Sequence, residues 1–130
     1  MQELNSNVQH HCLKLQSGGI IRFATLFEIV YLKSDRNYTR IILNDLTQYI
    51  MCKNLLNFET ELGYLFIRCH KTYLVNYLYI KEINTRNRHI LLNTGISIPF
   101  SKNKSKILEE KLKTKPNFNY QLKSNSILIE

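Results

Sequence analysis

The stretch RCHKTYLVN, residues 68–76, sets Arg68, Cys69, His70 and Lys71 directly ahead of the apolar Tyr73, Leu74 and Val75. Side chains on a strand alternate between faces. On that period Ile67 and Cys69 share one face, Arg68 and His70 share the other, and Tyr73 and Val75 keep the parity of Cys69. This predicts Cys69 in the core beside Ile67, with Arg68 and His70 outside and Lys71 leaning out from the sheet edge where the strand ends. Neighbouring Cys69 and His70 then point apart, which excludes a nucleophile–base pair between them. A free cysteine is more often a small buried hydrophobe than a nucleophile. For His70 two readings stay open: a structural hydrogen bond to nearby backbone, or direct contact with a ligand.

Working outward, short apolar runs rich in Ile, Leu, Tyr, Phe and Thr recur along the chain, at Cys12–Leu15, Ile20–Phe23, Glu28–Leu32, Tyr38–Leu43, Gln48–Cys52, Leu65–His70, Ile80–Thr85, His89–Leu92 and Ile96–Ile98. The turn signals QSGG, SDRN, NDLT, NTRNR and LNTG separate them. Many short strands at regular spacing predict a mainly β domain. Two stretches break the rhythm. In KNLLNFETEL, Leu55, Phe58 and Leu62 fall on one helical face and Asn54 suits the N-cap, so a short helix packs on the sheet. In SKNKSKILEEKLKTKP, Ser101 suits a helix cap and Pro116 follows the helix end.

The chain has 130 residues, 44% of them hydrophobic, which fits one domain with a core and short tails. Lysine and arginine outnumber acids 18 to 10, a balance that favours polyanionic partners, nucleic acid first. Cys12, Cys52 and Cys69 are an odd number without tight spacing and read as reduced thiols of a cytoplasmic protein. No metal is expected: there is no C-x-x-C pair, and His10 and His11 stand isolated at a polar end. No apolar run approaches the roughly 20 residues of a membrane span, and the first eleven residues lack an apolar signal core.

Four segments in order, FEIVYLKSDRNYTRIIL, CKNLLNFETEL, FIRCHKTYLVNYLYIKEI and ISIPFSKNKSKIL, resemble the LytTR DNA-binding domain, the output domain of bacterial regulators of the LytR/AgrA type. The most specific piece is the F-x-R-x-H-[KR]-[ST]-x-x-V-N pattern, matched by Phe66, Arg68, His70, Lys71, Thr72, Val75 and Asn76. The resemblance implies an elongated array of small antiparallel β-sheets with short helices, over residues 12–112, between a polar tail (1–11) and a second tail (113–130). It also implies DNA contacts from sheet-edge loops that enter successive grooves. By position these loops are Ser34–Arg40, around Arg36, Asn37, Tyr38, Thr39 and Arg40; then Lys71 with Thr72; then Ser101, Lys102 and Asn103. Lys71 and Lys102 stand where arginine is frequent in the family, and lysine acts as a point charge without the bidentate fork. Family regulators often carry a phosphoacceptor domain first. Only eleven residues precede the first strand here, so the expectation is that the chain is not by itself a conventional phosphorylation-driven regulator.

The residues carry part of this without the resemblance. SDRNYTR reads as a hairpin turn whose Asn37 can read adenine, whose Thr39 can touch a thymine methyl, and whose Arg36 and Arg40 can hold phosphate. Lys102, Lys104 and Lys106 fall early in the second helix and Glu109 and Glu110 late, the reverse of what the helix dipole favours. That order makes sense if a phosphate binds there, although a solvated lysine face reads equally well. Arg86 and Arg88 flank another turn and read as solvated charges. Asn76 reads as a structural cap of the turn NYLYI. Most of the eight tyrosines lie in apolar runs, as core residues would.

The expected function is a non-catalytic, sequence-specific transcriptional regulator that binds double-stranded DNA, with no cofactor and no membrane partner. A second copy, as a homodimer or side by side on repeated sites, and a protein supplying the signal are the other expected partners. For the apolar Ile127, Leu128 and Ile129 of the tail two readings stay open: folding onto their own domain, or pairing with a sheet edge of a neighbouring copy. The alternatives are an RNA- or single-strand-binding β-barrel using exposed tyrosines for stacking, and a β-rich protein-interaction module.

Overall fold

The computed structural model describes residues 12–115. In chain order the elements are β1 (Cys12–Ser17), β2 (Ile20–Thr25), β3 (Ile29–Asp35), β4 (Tyr38–Leu43), β5 (Gln48–Met51), α1 (Leu55–Leu62), β6 (Phe66–His70), β7 (Tyr73–Asn76), β8 (Ile80–Asn84), β9 (His89–Leu92), β10 (Ser97–Pro99) and α2 (Ser105–Lys113). All pairings are antiparallel. They form a hairpin β1-β2, a five-stranded sheet in the order β5-β4-β3-β7-β6, and a three-stranded sheet β10-β9-β8. The fold is mainly β, as the strand spacing predicts. None of the three sheets closes on itself, so the barrel that an RNA- or single-strand-binding module would use is not formed by the described residues.

The central sheet is covered on both faces. On one face Leu32, Ile41, Leu43, Phe66 and Leu74 meet Leu13, Leu15 and Ala24 of the hairpin and Leu55, Phe58 and Leu62 of α1. On the other, Ile67, Cys69 and Val75 meet Ile80, Ile90, Leu92 and Ile98 of the small sheet and Leu108 of α2. The first helix forms as its spacing predicts: the Asn54 side chain accepts the Asn57 N–H at 2.9 Å, and the three periodic residues are buried. Burial of Phe58 alone contributes roughly 1.5–3 kcal/mol.

Asn76 holds the two layers together. It is fully buried, its Nδ2 donates to the carbonyls of Leu26 (3.2 Å) and Ile29 (2.9 Å), and its Oδ1 accepts the Leu78 N–H at 3.0 Å. The structural reading of this asparagine holds.

Four expectations change. The strict alternation through residues 67–70 is broken by a bulge: Arg68 pairs with Leu74 but His70 pairs with Tyr73, leaving Cys69 as the extra residue. Arg68 faces α1, while His70 crosses to the face of Tyr73, so it no longer shares a side with Arg68 and the expected divergence of Cys69 and His70 does not hold. Second, the segment after Ser101 begins as a 3-10 turn, Lys102–Lys104, before α2 starts at Ser105. Ser101 makes no side-chain capping bond; its N–H and that of Phe100 are bound to carbonyls elsewhere, which pins the entry and tightens the first turn. Third, among the described tyrosines only Tyr77 is buried. Tyr31, Tyr49, Tyr73 and Tyr79 are half-buried and Tyr38 and Tyr64 are exposed; a tyrosine ring supplies apolar area while its hydroxyl favours water or a partner, as where the Tyr79 hydroxyl donates to the Phe27 carbonyl at 2.6 Å. Fourth, Thr39 is buried, as described below. Pro116, His10, His11 and the apolar tail segment lie outside the described residues.

Candidate nucleic-acid interface

The hairpin β3-β4 closes through Arg36 and Asn37, with Asp35 and Tyr38 as the flanking pair. Arg36, Asn37 and Tyr38 are exposed, and Arg36 takes φ 59°, the left-handed region that a non-glycine residue adopts at some cost. Arg40 Nε donates to Asp35 Oδ2 at 3.0 Å across the hairpin, which fixes its guanidinium beside the tip. Thr39 points inward instead: it is fully buried and its Oγ1 donates to the Lys53 carbonyl at 2.6 Å. It supports the hairpin from below and presents no group to a ligand, contrary to the expectation of a thymine contact.

Lys71 and Thr72 form the two-residue turn between β6 and β7. Lys71 is exposed and Thr72 half-buried. Three bonds fix this turn. His70 Nδ1 accepts the Thr72 N–H at 3.1 Å, Arg68 Nε donates to the His70 carbonyl at 3.0 Å, and Arg68 Nη2 donates to the Lys71 carbonyl at 2.8 Å. Arg68 is itself anchored by Glu59 of α1, Nη1 to Oε1, at 2.9 Å. The backbone-bonding reading of His70 holds. Its Nδ1 is an acceptor here, so in the neutral ring the proton is on Nε2.

Two backbone bonds bring the three loops together. The Ser34 N–H donates to the Thr72 carbonyl at 2.8 Å, joining the β3-β4 hairpin to the Lys71 turn. The Ser101 N–H donates to the Cys69 carbonyl at 2.9 Å, joining the third loop to the same turn. The second bond depends on the bulge, because the extra residue's carbonyl is left outside the ladder. Lys102 and Asn103 are exposed and Ser101 is half-buried. All three expected loops therefore lie at one end of the molecule, with the side chains of Arg36, Lys71 and Lys102 in solvent.

At the opposite end Arg22 bridges Glu28 (3.2 Å) and Asp45 (3.1 Å), and at the loop end Arg40 is paired with Asp35 and Arg68 with Glu59. Arg36, Lys71 and Lys102 form no ion pair among the described residues. Cys69 lies beneath the interface; its Sγ is directed at the carbonyls of Tyr73 (3.8 Å) and Pro99 (3.7 Å), and burial pushes the thiol up to about 12. That environment suits a core residue and not a nucleophile. One contributor escapes sequence reading: Arg68, whose bracing role needs the three-dimensional turn.

A mainly β domain that gathers basic loops at one sheet end defines a class of DNA-binding module distinct from helix-turn-helix proteins. The LytTr DNA-binding domain family matches residues 20–113, and the chain belongs to the LytTR family. The fold is also similar to a solved structure, the LytTr DNA-binding domain of a Bacillus cereus protein described as a methyl-accepting/DNA response regulator. The TM-score is 0.69 at 22% identity, over 78% of this chain and 96% of that one. No curated protein matches the sequence. The family is DNA-binding and typically non-catalytic. No helix among the described residues is long and apolar enough to cross a membrane.

Proposed function

We propose that the chain is a sequence-specific, double-stranded-DNA-binding transcriptional regulator that inserts its sheet-edge loops into successive grooves, with residues 12–112 as the binding unit. The observation that carries this reading is the joining of the three loops by the Ser34–Thr72 and Ser101–Cys69 backbone bonds at an end where the exposed Arg36, Lys71 and Lys102 form no ion pair among the described residues. Donors tied to one rigid sheet need little ordering on binding. Within the first loop, Arg36, Asn37, Tyr38 and Arg40 are the contact residues and Thr39 supports them. Lys71 with Thr72, and Ser101 with Lys102 and Asn103, form the second and third contacts. Lysine in the two central positions supplies charge to phosphate or a single guanine acceptor, leaving sequence discrimination to Asn37, Asn103 and DNA shape. A second copy on a neighbouring repeat would enlarge an interface that for one module is about 600–1,000 Å².

The test is selection of bound fragments from a random duplex library, followed by competition of the selected duplex against single strands and RNA. A recovered consensus, with single strands failing to compete, supports the reading. Equal competition by single strands assigns the protein to single-strand binding, and no retention of any nucleic acid at low salt removes the DNA-binding role.

A further inference from the structure

The turn joining β8 to β9 carries Arg86 and Arg88, both exposed and neither ion-paired among the described residues. It is rigidly built. Asn84 Oδ1 accepts the N–H groups of Arg86 (3.0 Å) and Asn87 (2.9 Å). Arg88 takes φ 58°, the same left-handed region as Arg36 at the tip of the first loop. Sequence alone assigns these arginines to solvent, but the topology gives them a neighbour. β9 lies between β8 and β10, so this turn sits at the end of the small sheet from which the chain enters Ser101–Asn103. The Arg88 carbonyl accepts the Phe100 N–H at 3.0 Å, and Ser101 in turn donates to Cys69.

We propose that the β8-β9 turn is a fourth DNA-contacting element, in which Arg86 and Arg88 bind backbone phosphates beside the segment held by Ser101–Asn103. This rests on the DNA-binding reading above and extends it to residues outside the three loops. The Phe100–Arg88 backbone bond sets the turn two residues from Lys102, so Arg86, Arg88 and Lys102 place three cations, unpaired among the described residues, on neighbouring segments, a grouping that suits a polyanion. Arginine stays charged at any working pH and its planar fork fits phosphate oxygens bidentately. The contact adds affinity and register on the duplex without reading bases.

The test compares the parent protein with the double variant Arg86→Ala/Arg88→Gly by fluorescence anisotropy on selected and random duplexes, across a salt series. Glycine accepts the positive φ at Arg88, so folding is preserved and thermal unfolding should occur at the parent temperature or above. The expected result is a plot of log Kobs against log salt shallower by about two, with both duplexes weakened by the same factor. An unchanged slope and affinity in a variant that unfolds normally, while the parent binds duplex, overturns this inference and leaves the DNA-binding reading intact. Failure of the parent to bind any duplex at low salt overturns both.

Discussion

Arg68 grips the turn that carries Lys71: its Nη2 donates to the Lys71 carbonyl at 2.8 Å while its Nη1 is held by Glu59. The arginine reaches around the turn from the face opposite His70, a geometry created by the bulge at Cys69. Its charge is spent on the protein's own acceptors, so it is a positioning residue. Arg68→Ala should lower duplex affinity several-fold through disorder of the turn, with the salt slope unchanged because no phosphate contact is lost. The same variant should cost about 1–2 kcal/mol of stability, since the Arg68 and Glu59 side chains are partly exposed. A slope reduced by a full unit would instead make Arg68 a direct contact.

Lys71 and Lys102 should behave in the opposite way. Both are exposed and neither forms an ion pair among the described residues. Replacing either by alanine should leave urea stability within about 0.5 kcal/mol of the parent. Each replacement should make the salt dependence of duplex binding shallower by about one. Parent-like binding at every salt concentration would take both lysines out of the interface.

The three cysteines should separate cleanly in a labelling experiment. Cys12 and Cys52 are exposed, whereas Cys69 is buried with its thiol pushed up to about 12. A thiol reagent applied to native protein near pH 8 should add two labels quickly, and the third only when urea unfolds the chain. Cys69→Ser should cost about 1–3 kcal/mol by placing a hydroxyl in that site. Rapid native labelling at Cys69, located by peptide mass, would show that the site opens.

Much of this architecture is written in local sequence, and the departures have physical causes. Leu55, Phe58 and Leu62 behind Asn54 are enough to define α1, because period and cap are both local signals. Asn76 is legible as a cap for the same reason. The bulge at Cys69 is not legible, since an extra residue in one strand is stabilised by the distant Ser101 N–H that its carbonyl receives. Thr39 has the donor chemistry of a loop-tip contact, and only its packing against Lys53 reveals that it faces inward. The tyrosines carry both apolar area and a hydroxyl, so an apolar run does not decide whether the ring ends in the core or at a margin. The order and spacing of the interface loops are visible in sequence; their convergence depends on two backbone bonds that sequence does not display.

Acid should release the end opposite the basic loops. Glu28 is held below the ordinary carboxylate range chiefly by the Thr25 N–H, with Arg22 assisting, and Asp45 chiefly by the Thr47 hydroxyl and N–H. A lowered folded value means that stabilisation is fully present above the unfolded value, roughly pH 4, and is lost as pH falls through the folded value. The urea midpoint should therefore drop between about pH 5 and pH 3. Glu28→Gln and Asp45→Asn should each flatten part of that drop while lowering stability at pH 7. An identical pH profile in both variants would place the acid sensitivity elsewhere.

Asn76 should be the most sensitive polar residue in the fold. Its side chain makes three hydrogen bonds, two as donor to the Leu26 and Ile29 carbonyls and one as acceptor from Leu78, in a fully buried site. Alanine removes all three and leaves buried backbone groups without these partners. The expected cost is about 2–4 kcal/mol. Aspartate keeps the size and the acceptor but loses the donor, and it brings charged or lone-pair-bearing oxygens toward two carbonyls. It should therefore destabilise as much as alanine or more at pH 7, and recover part of the loss as pH is lowered and the carboxyl becomes able to donate. Urea unfolding of the two variants at pH 7 and pH 5 checks this. An Asn76→Asp protein as stable as the parent at pH 7 would mean that the two donor bonds contribute little, and that packing alone joins β7 to the segment between β2 and β3.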